Sequence, residues 1–192
     1  IFFHCGCYGK FDKKTIIPSI RYWKAKQRID KQIIVGLHIS YRAATNDTAL
    51  KLEKWILEKC LDRQVSKCRF HYLKFALPYG YDRLEQFGFT DDYSMAYSNV
   101  AGYRAGTSRP FSFYNIEKEE ESKLTIHPLI VMDKTLRSNM KLNVDAAYQY
   151  IDTLKKSSNA IGGDFTTLFH NENVADLNGW GEWGKRFFKN RT

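Results

Sequence analysis

The stretch Ile33-Ile34-Val35-Gly36-Leu37-His38-Ile39-Ser40-Tyr41-Arg42-Ala43 decides how the rest of the chain is read. Residues 33–35 form a β-branched run with no polar alternation, the pattern of a strand buried on both faces. A glycine, a histidine, hydroxyls and an arginine follow at once, which puts a polar cluster at the strand's carboxyl end. In sheets of parallel strands that end collects ligands and catalytic groups, so His38 is the first candidate site residue. A single histidine there is also an ordinary loop residue, and the weight of the reading rests on what the other strand ends carry.

Strand-like apolar runs recur at 1–5, 68–75, 92–97, 124–132 and 164–169. Pro128 marks an edge, a bulge or a late start in the fourth of these. Helical patterns separate the runs. Pro18 opens a helix over 18–29 with Ile20 and Trp23 inward. Asn46-Asp47-Thr48 caps a second, in which Leu52, Trp55, Ile56 and Cys60 share the apolar face and Lys51, Glu53, Lys54, Glu58 and Lys59 the polar one. A short helix over 78–87 stops at Gly88. Asn143 caps a fourth, with Val144, Ala147, Tyr148, Ile151 and Leu154 as its buried stripe, and Trp180, Trp183 and Phe187 recur at helical spacing in a closing helix. The alternation predicts an α/β fold with a largely parallel sheet, in a single domain over 1–192.

With 192 residues, 43% of them hydrophobic, the chain has enough apolar material for a real core. No apolar run approaches the ~20 residues that span a bilayer. The chain opens on Ile1-Phe2-Phe3 without an initiator Met and reads as an N-terminally truncated piece of a longer protein, which leaves cytoplasm and cell envelope both open. The net charge of +9 is spread along the sequence with acidic residues interleaved, including a solvated run at Glu117, Glu119, Glu120 and Glu121. That describes a generally basic surface, not a nucleic-acid stripe. Cys5, Cys7, Cys60 and Cys68 lack metal-site spacing and read as reduced, mostly core thiols.

Chemistry concentrates at four positions: His38, Arg104 in the Gly-rich loop 102–111, Asp133 directly after an apolar run, and His170 after the last one. Histidines and carboxylates are the ligands of catalytic zinc and related ions, which activate water near neutral pH. A further histidine away from the metal protonates a leaving amine. His38, His71 and His170 are far apart in sequence, so a metal site depends on the fold bringing such residues together.

A succession of short motifs then runs through nearly the whole chain: Gly-Leu-His-x-Ser-Tyr-Arg-Ala (36–43), Arg-x-His-Tyr-Leu-Lys (69–74), Asp-Asp-Tyr-Ser-Met-Ala-Tyr (91–97), Gly-Tyr-Arg-Ala-Gly-Thr-x-Arg-Pro-Phe (102–111), Met-Asp-x-Thr-Leu (132–136) and Leu-Phe-His-Asn (168–171). In order and spacing it resembles the bacterial polysaccharide deacetylase-like proteins related to the NodB-type, family 4 carbohydrate esterases. The resemblance implies a distorted (β/α) barrel and metal-dependent N-deacetylation of a polysaccharide. By that analogy His38 belongs to the metal motif, with zinc as the metal; His71 has no counterpart in the family's best-known members and is a candidate second ligand. Arg104 orients site carboxylates, His170 is the general acid, and Asp133 tunes it. Tyr41, Tyr72 and Tyr103 present flat rings to the sugar.

Two departures from the family pattern are plain. The paired-aspartate motif is missing and would precede Ile1, and Arg42 stands where the metal motif carries its second histidine. Weak metal binding is therefore expected of this chain. A glycan-binding or scaffold protein on the same fold is the alternative, with Tyr97 and Trp180 joining the flat rings.

Overall fold

We analysed a computed structural model, which describes residues 1–6, 9–12, 32–174, 181–182 and 184–185. The helix expected over 18–29, the residues Trp180, Trp183 and Phe187, and Cys7 lie outside the described residues. The fold is mixed α/β with a mostly parallel sheet. It divides into two compact units, one formed by Ile1–Ser94 with Phe111–Ile126, the other by Met95–Pro110 with His127–Thr192.

The first unit holds a six-stranded sheet. Its strands are β1 (Phe2–His4), β2 (Gly36–Ile39), β3 (Lys67–Phe70), β4 (Asp91–Asp92), β5 (Phe111–Asn115) and β6 (Glu120–Ile126), in the order β1-β2-β3-β4-β6-β5. All neighbouring pairs are parallel except the β5–β6 hairpin. Helix α1 (Asp47–Leu61) crosses from β2 to β3, and α2 (Tyr79–Gln86) from β3 to β4. Parallel neighbours need such a crossover. One sheet face is core: Leu37, Ile39, Cys68, Phe70, Leu124 and Ile126 are all buried, beneath Leu50 and Leu57 of α1 and Tyr81 and Leu84 of α2. Gly36 has a steric reason. A Cβ there would lie 2.4 Å from the Phe2 ring and 2.8 Å from the Lys67 carbonyl, so only glycine lets β1 and β3 close on this strand.

Several sequence expectations move. Strand β2 starts at Gly36, not Ile33; Ile33 and Ile34 are exposed and only Val35 is buried. His38 therefore lies inside a strand and not in the loop after it. Helix α1 keeps its Asn46 cap, whose side chain accepts from the Ala49 amide, but it buries Leu50, Glu53, Leu57 and Cys60. Leu52 and Trp55 point outward, being 46% and 54% exposed. The sequence offers two apolar faces on this helix, and the charge at Glu53 favours the wrong one. The run 68–75 ends as a strand at Phe70, because Tyr72 and Leu73 turn to positive φ. The run 92–97 shortens to Asp91–Asp92. There Ser94 takes over the ladder, its hydroxyl accepting from the Phe70 amide and donating to Asp92. Gly88, at φ +72°, follows α2 as expected.

The second unit carries a two-stranded parallel sheet, β7 (Val131–Met132) beside β8 (Thr167–Leu168), joined through α3 (Val144–Ala160). Pro128 falls in the break between β6 and β7, so the single run 124–132 is two strands. Asn143 caps α3 by accepting from the Ala146 amide. Ala147 and Ile151 are buried against Ile130, Val131 and Leu136, with Val144, Tyr148 and Leu154 packed around them as the stripe predicts. The last strand is shorter than 164–169, and the four-residue helix α4 (Asn171–Val174) follows it. Cys5, Cys60 and Cys68 are buried and form no disulfide. Among the described residues no helix is long and apolar enough to cross a membrane.

Candidate metal centre and histidine dyad

In the first unit the register of β1, β2 and β3 sets His4 beside His38 and His38 beside Arg69. Paired residues on parallel strands face the same way, so this row shares one face of the sheet. His71, just past the end of β3, joins it; its ring centre is 4.9 Å from that of His38 and 5.3 Å from that of His4. Asp12 reaches into the group from the loop after β1. Its Oδ1 lies 2.9 Å from His71 Nδ1 and 3.3 Å from His4 Nε2, and the three residues offer one ligand atom each within 4.8 Å of one another.

Two imidazole nitrogens and a carboxylate oxygen suit zinc, cobalt or nickel. Ligand bonds of about 2.0–2.1 Å in a tetrahedral shell hold donor atoms roughly 3.3 Å apart; the Asp12–His4 distance equals that spacing, and the Asp12–His71 distance of 2.9 Å is a hydrogen bond somewhat inside it. Asp12 is itself held from behind. The Tyr41 amide donates to Oδ1 at 2.8 Å and the Arg42 amide to Oδ2 at 3.3 Å. Burial acts to raise the Asp12 pKa, but these amides with His71 and His4 outweigh it and keep the carboxyl below its ordinary range.

His38 stands next to this set with its Nδ1 accepting from Arg69 Nε at 3.3 Å, which leaves the ring proton on Nε2. Of the two expected metal ligands, then, His71 lies in the cluster and His38 beside it. His4 and Asp12 are functional candidates that the sequence reading passed over. The available signal was the repeat of histidine at the ends of two apolar runs, His4 and His38.

An aromatic group flanks the centre. Phe11 lies 4.3 Å from Tyr41 and 5.9 Å from Tyr72, ring centre to ring centre. Lys74 Nζ sits 3.8 Å from the centre of the Tyr41 ring, so Tyr41 is enclosed between Phe11 and Lys74. Tyr72, 52% exposed, and Phe11 present the open surface.

In the second unit Asp133 directly follows β7 and His170 comes two residues after β8. The Asp133 carboxylate, 1% exposed, accepts from His170 Nδ1 at 2.6 Å, the His170 amide at 2.7 Å, the Lys134 amide at 2.7 Å and Asn173 Nδ2 at 2.6 Å. Arg137 in turn donates to Asn173 Oδ1. A carboxylate only accepts, so the His170 ring donates to it from Nδ1. A π-helical turn, Thr135–Asn139, follows Asp133 at once. Arg104 is exposed on the loop between β4 and β5, where the sequence reading put it. Tyr103 packs on the core of this unit and donates its hydroxyl to the Asp164 carbonyl. The expected site residues thus divide, with His38, His71, Tyr41 and Tyr72 in the first unit and Tyr103, Arg104, Asp133 and His170 in the second.

Two buried carboxyls in the first unit set a pH dependence. Burial, opposed by hydrogen bonds from Ser40 and reinforced by the Asp12 charge, pushes Glu53 up to about 7. Burial also pushes Asp92 up to about 6 against hydrogen bonds from Ser94. Their unfolded values are near 4, so between about pH 4 and 7 the folded chain holds protons that the unfolded chain has released. Stability is full below that window and declines as pH rises through it, by at most ~1.4 kcal/mol per group and pH unit. The urea midpoint is expected to fall between about pH 5 and pH 8, and Glu53→Gln is expected to flatten the upper part of the decline. An equal slope in that variant would refute the assignment.

No protein-family model, curated protein or solved structure matches this chain.

Proposed function

We propose that the chain is a metal-dependent hydrolase of the NodB-type polysaccharide deacetylase class, removing N-acetyl groups from a glycan. The observation that carries the reading is the cluster of Asp12, His4 and His71, with His38 beside it, at the carboxyl end of parallel strands. His4 Nε2, Asp12 Oδ1 and His71 Nδ1 would hold a divalent ion, with zinc the best match to the donors. A bound ion of this kind acts as a Lewis acid on a carbonyl and lowers the pKa of water.

The chain's own residues supply the rest. The Tyr41 and Arg42 amides fix the direction of Asp12, and the open faces of Phe11 and Tyr72 give a sugar ring an apolar surface. In the second unit, taken by itself, Asp133 holds the His170 imidazole by Nδ1, an arrangement suited to a ring that takes up and gives back a proton. The alternative, an inactive glycan-binding protein, draws on Arg42 in place of a second metal-motif histidine.

Acetate release from N-acetylated oligosaccharides, with zinc or cobalt supplied, separates the two readings. Deacetylation requires release in the wild type and its loss in Asp12→Ala, with sugar binding retained. Oligosaccharide binding without acetate release would establish the binding protein instead.

A further inference from the structure

Glu53 sits in the middle of the buried face of α1, 4% exposed, among Leu50, Leu57 and Cys60. A carboxyl there is costly unless its oxygens are engaged. Both are. Glu53 Oε2 accepts from the Ser40 amide at 3.0 Å and Oε1 from the Ser40 hydroxyl at 2.5 Å. The same hydroxyl accepts from the Ala43 amide at 3.0 Å, so one helix side chain pins both ends of the 40–43 turn. The two amides inside that turn, Tyr41 and Arg42, are the ones that hold Asp12, one on each oxygen. One amide per oxygen fixes the rotation of the carboxyl group and aims Oδ1 at His71 and His4.

We infer that Glu53 is a positioning residue for the metal-binding carboxylate, acting through the 40–43 turn on Asp12. The inference rests on the metal-dependent reading of the cluster. Gly6 adds an independent sign that this junction is built to close tolerance. A Cβ on Gly6 would lie 2.4 Å from Ser40 Cβ, 2.9 Å from Glu53 Oε1 and 2.9 Å from His4 Cε1. The chain leaving β1, the turn after β2 and the α1 carboxyl therefore meet at one point, next to a ligand histidine.

The test is a cobalt(II) titration of the full chain, read by visible absorption, beside the thermal midpoint of each metal-free protein. Glu53→Ala is expected to weaken cobalt binding by about tenfold or more, the size typical of groups that orient a ligand. Ser40→Ala, which removes only a hydroxyl and keeps a folded chain in hand should Glu53→Ala fail to fold, is expected to weaken it as well. Glu53→Gln is expected to stay within about threefold, because its Oε1 still accepts the Ser40 amide. A role confined to packing would lower the thermal midpoint of Glu53→Ala and Ser40→Ala and leave cobalt affinity unchanged, which overturns the proposal alone. Failure of the wild type itself to bind cobalt overturns the metal reading, and this inference with it.

Discussion

Asp12→Ala and His71→Ala are each expected to weaken cobalt(II) or zinc(II) binding by about a hundredfold or more, equivalent to ~2.7 kcal/mol. Each removes one of three donors that lie within 4.8 Å of one another, and a two-donor remnant cannot close around the ion. His4→Ala belongs to the same class. His38→Ala is expected to cost no more than about tenfold, because its Nδ1 is engaged by Arg69 and its ring lies beside the donor set. The family pattern ranks them the other way, with His38 as the leading ligand and binding weak without an upstream aspartate pair. Asp12 answers that expectation from within the chain, since it offers a carboxylate already held by two amides. Isothermal titration of the four variants decides the order. Loss confined to His38→Ala would return the metal to His38 and remove Asp12 from the site.

Asp133→Asn is expected to destabilise the chain by about 2–4 kcal/mol, a large cost for a change of one atom. All four groups facing this carboxylate are N–H donors: two from His170, one from Lys134 and one from Asn173. An asparagine presents its own NH2 to at least one of them, in whichever orientation it takes, and leaves buried donors facing each other. Glu53→Gln differs because a raised pKa already lets Glu53 carry a proton near neutrality, so the amide resembles a state the carboxyl visits. Urea unfolding at about pH 7.5 compares the two directly. Equal and small effects would show that Asp133 does not require its charge.

Where local chemistry decides the structure, the sequence was legible. Asn46 and Asn143 cap their helices because a short side-chain oxygen preceding an amphipathic run satisfies a free amide with no help from elsewhere. The stripe of α3 was readable because that helix has a single apolar face. Pro128 marked a real interruption, and the acidic run Glu117, Glu119, Glu120 and Glu121 is solvated as its charge implies, although Glu120 and Glu121 lie in β6 and not in a turn. The β5–β6 hairpin was missed, since an edge pair with one wet face and an acidic turn carries little hydrophobic signal. On α1 two apolar faces competed, and the buried one includes a glutamate that only its partner Ser40 explains.

The sequence by itself determined the alternation of strands and helices, the helix caps, the parallel character of most of the sheet and the histidines worth watching, because these follow from short-range periodicity and side-chain chemistry. Tertiary structure alone decided that His4, Asp12 and His71 form one cluster, that the 40–43 amides orient its carboxylate and that Asp133 holds His170. Those pairings join residues 8 to 59 positions apart. They exist only once strand register fixes which side chains share a face, and register is a property of neighbouring strands that no single stretch of chain contains.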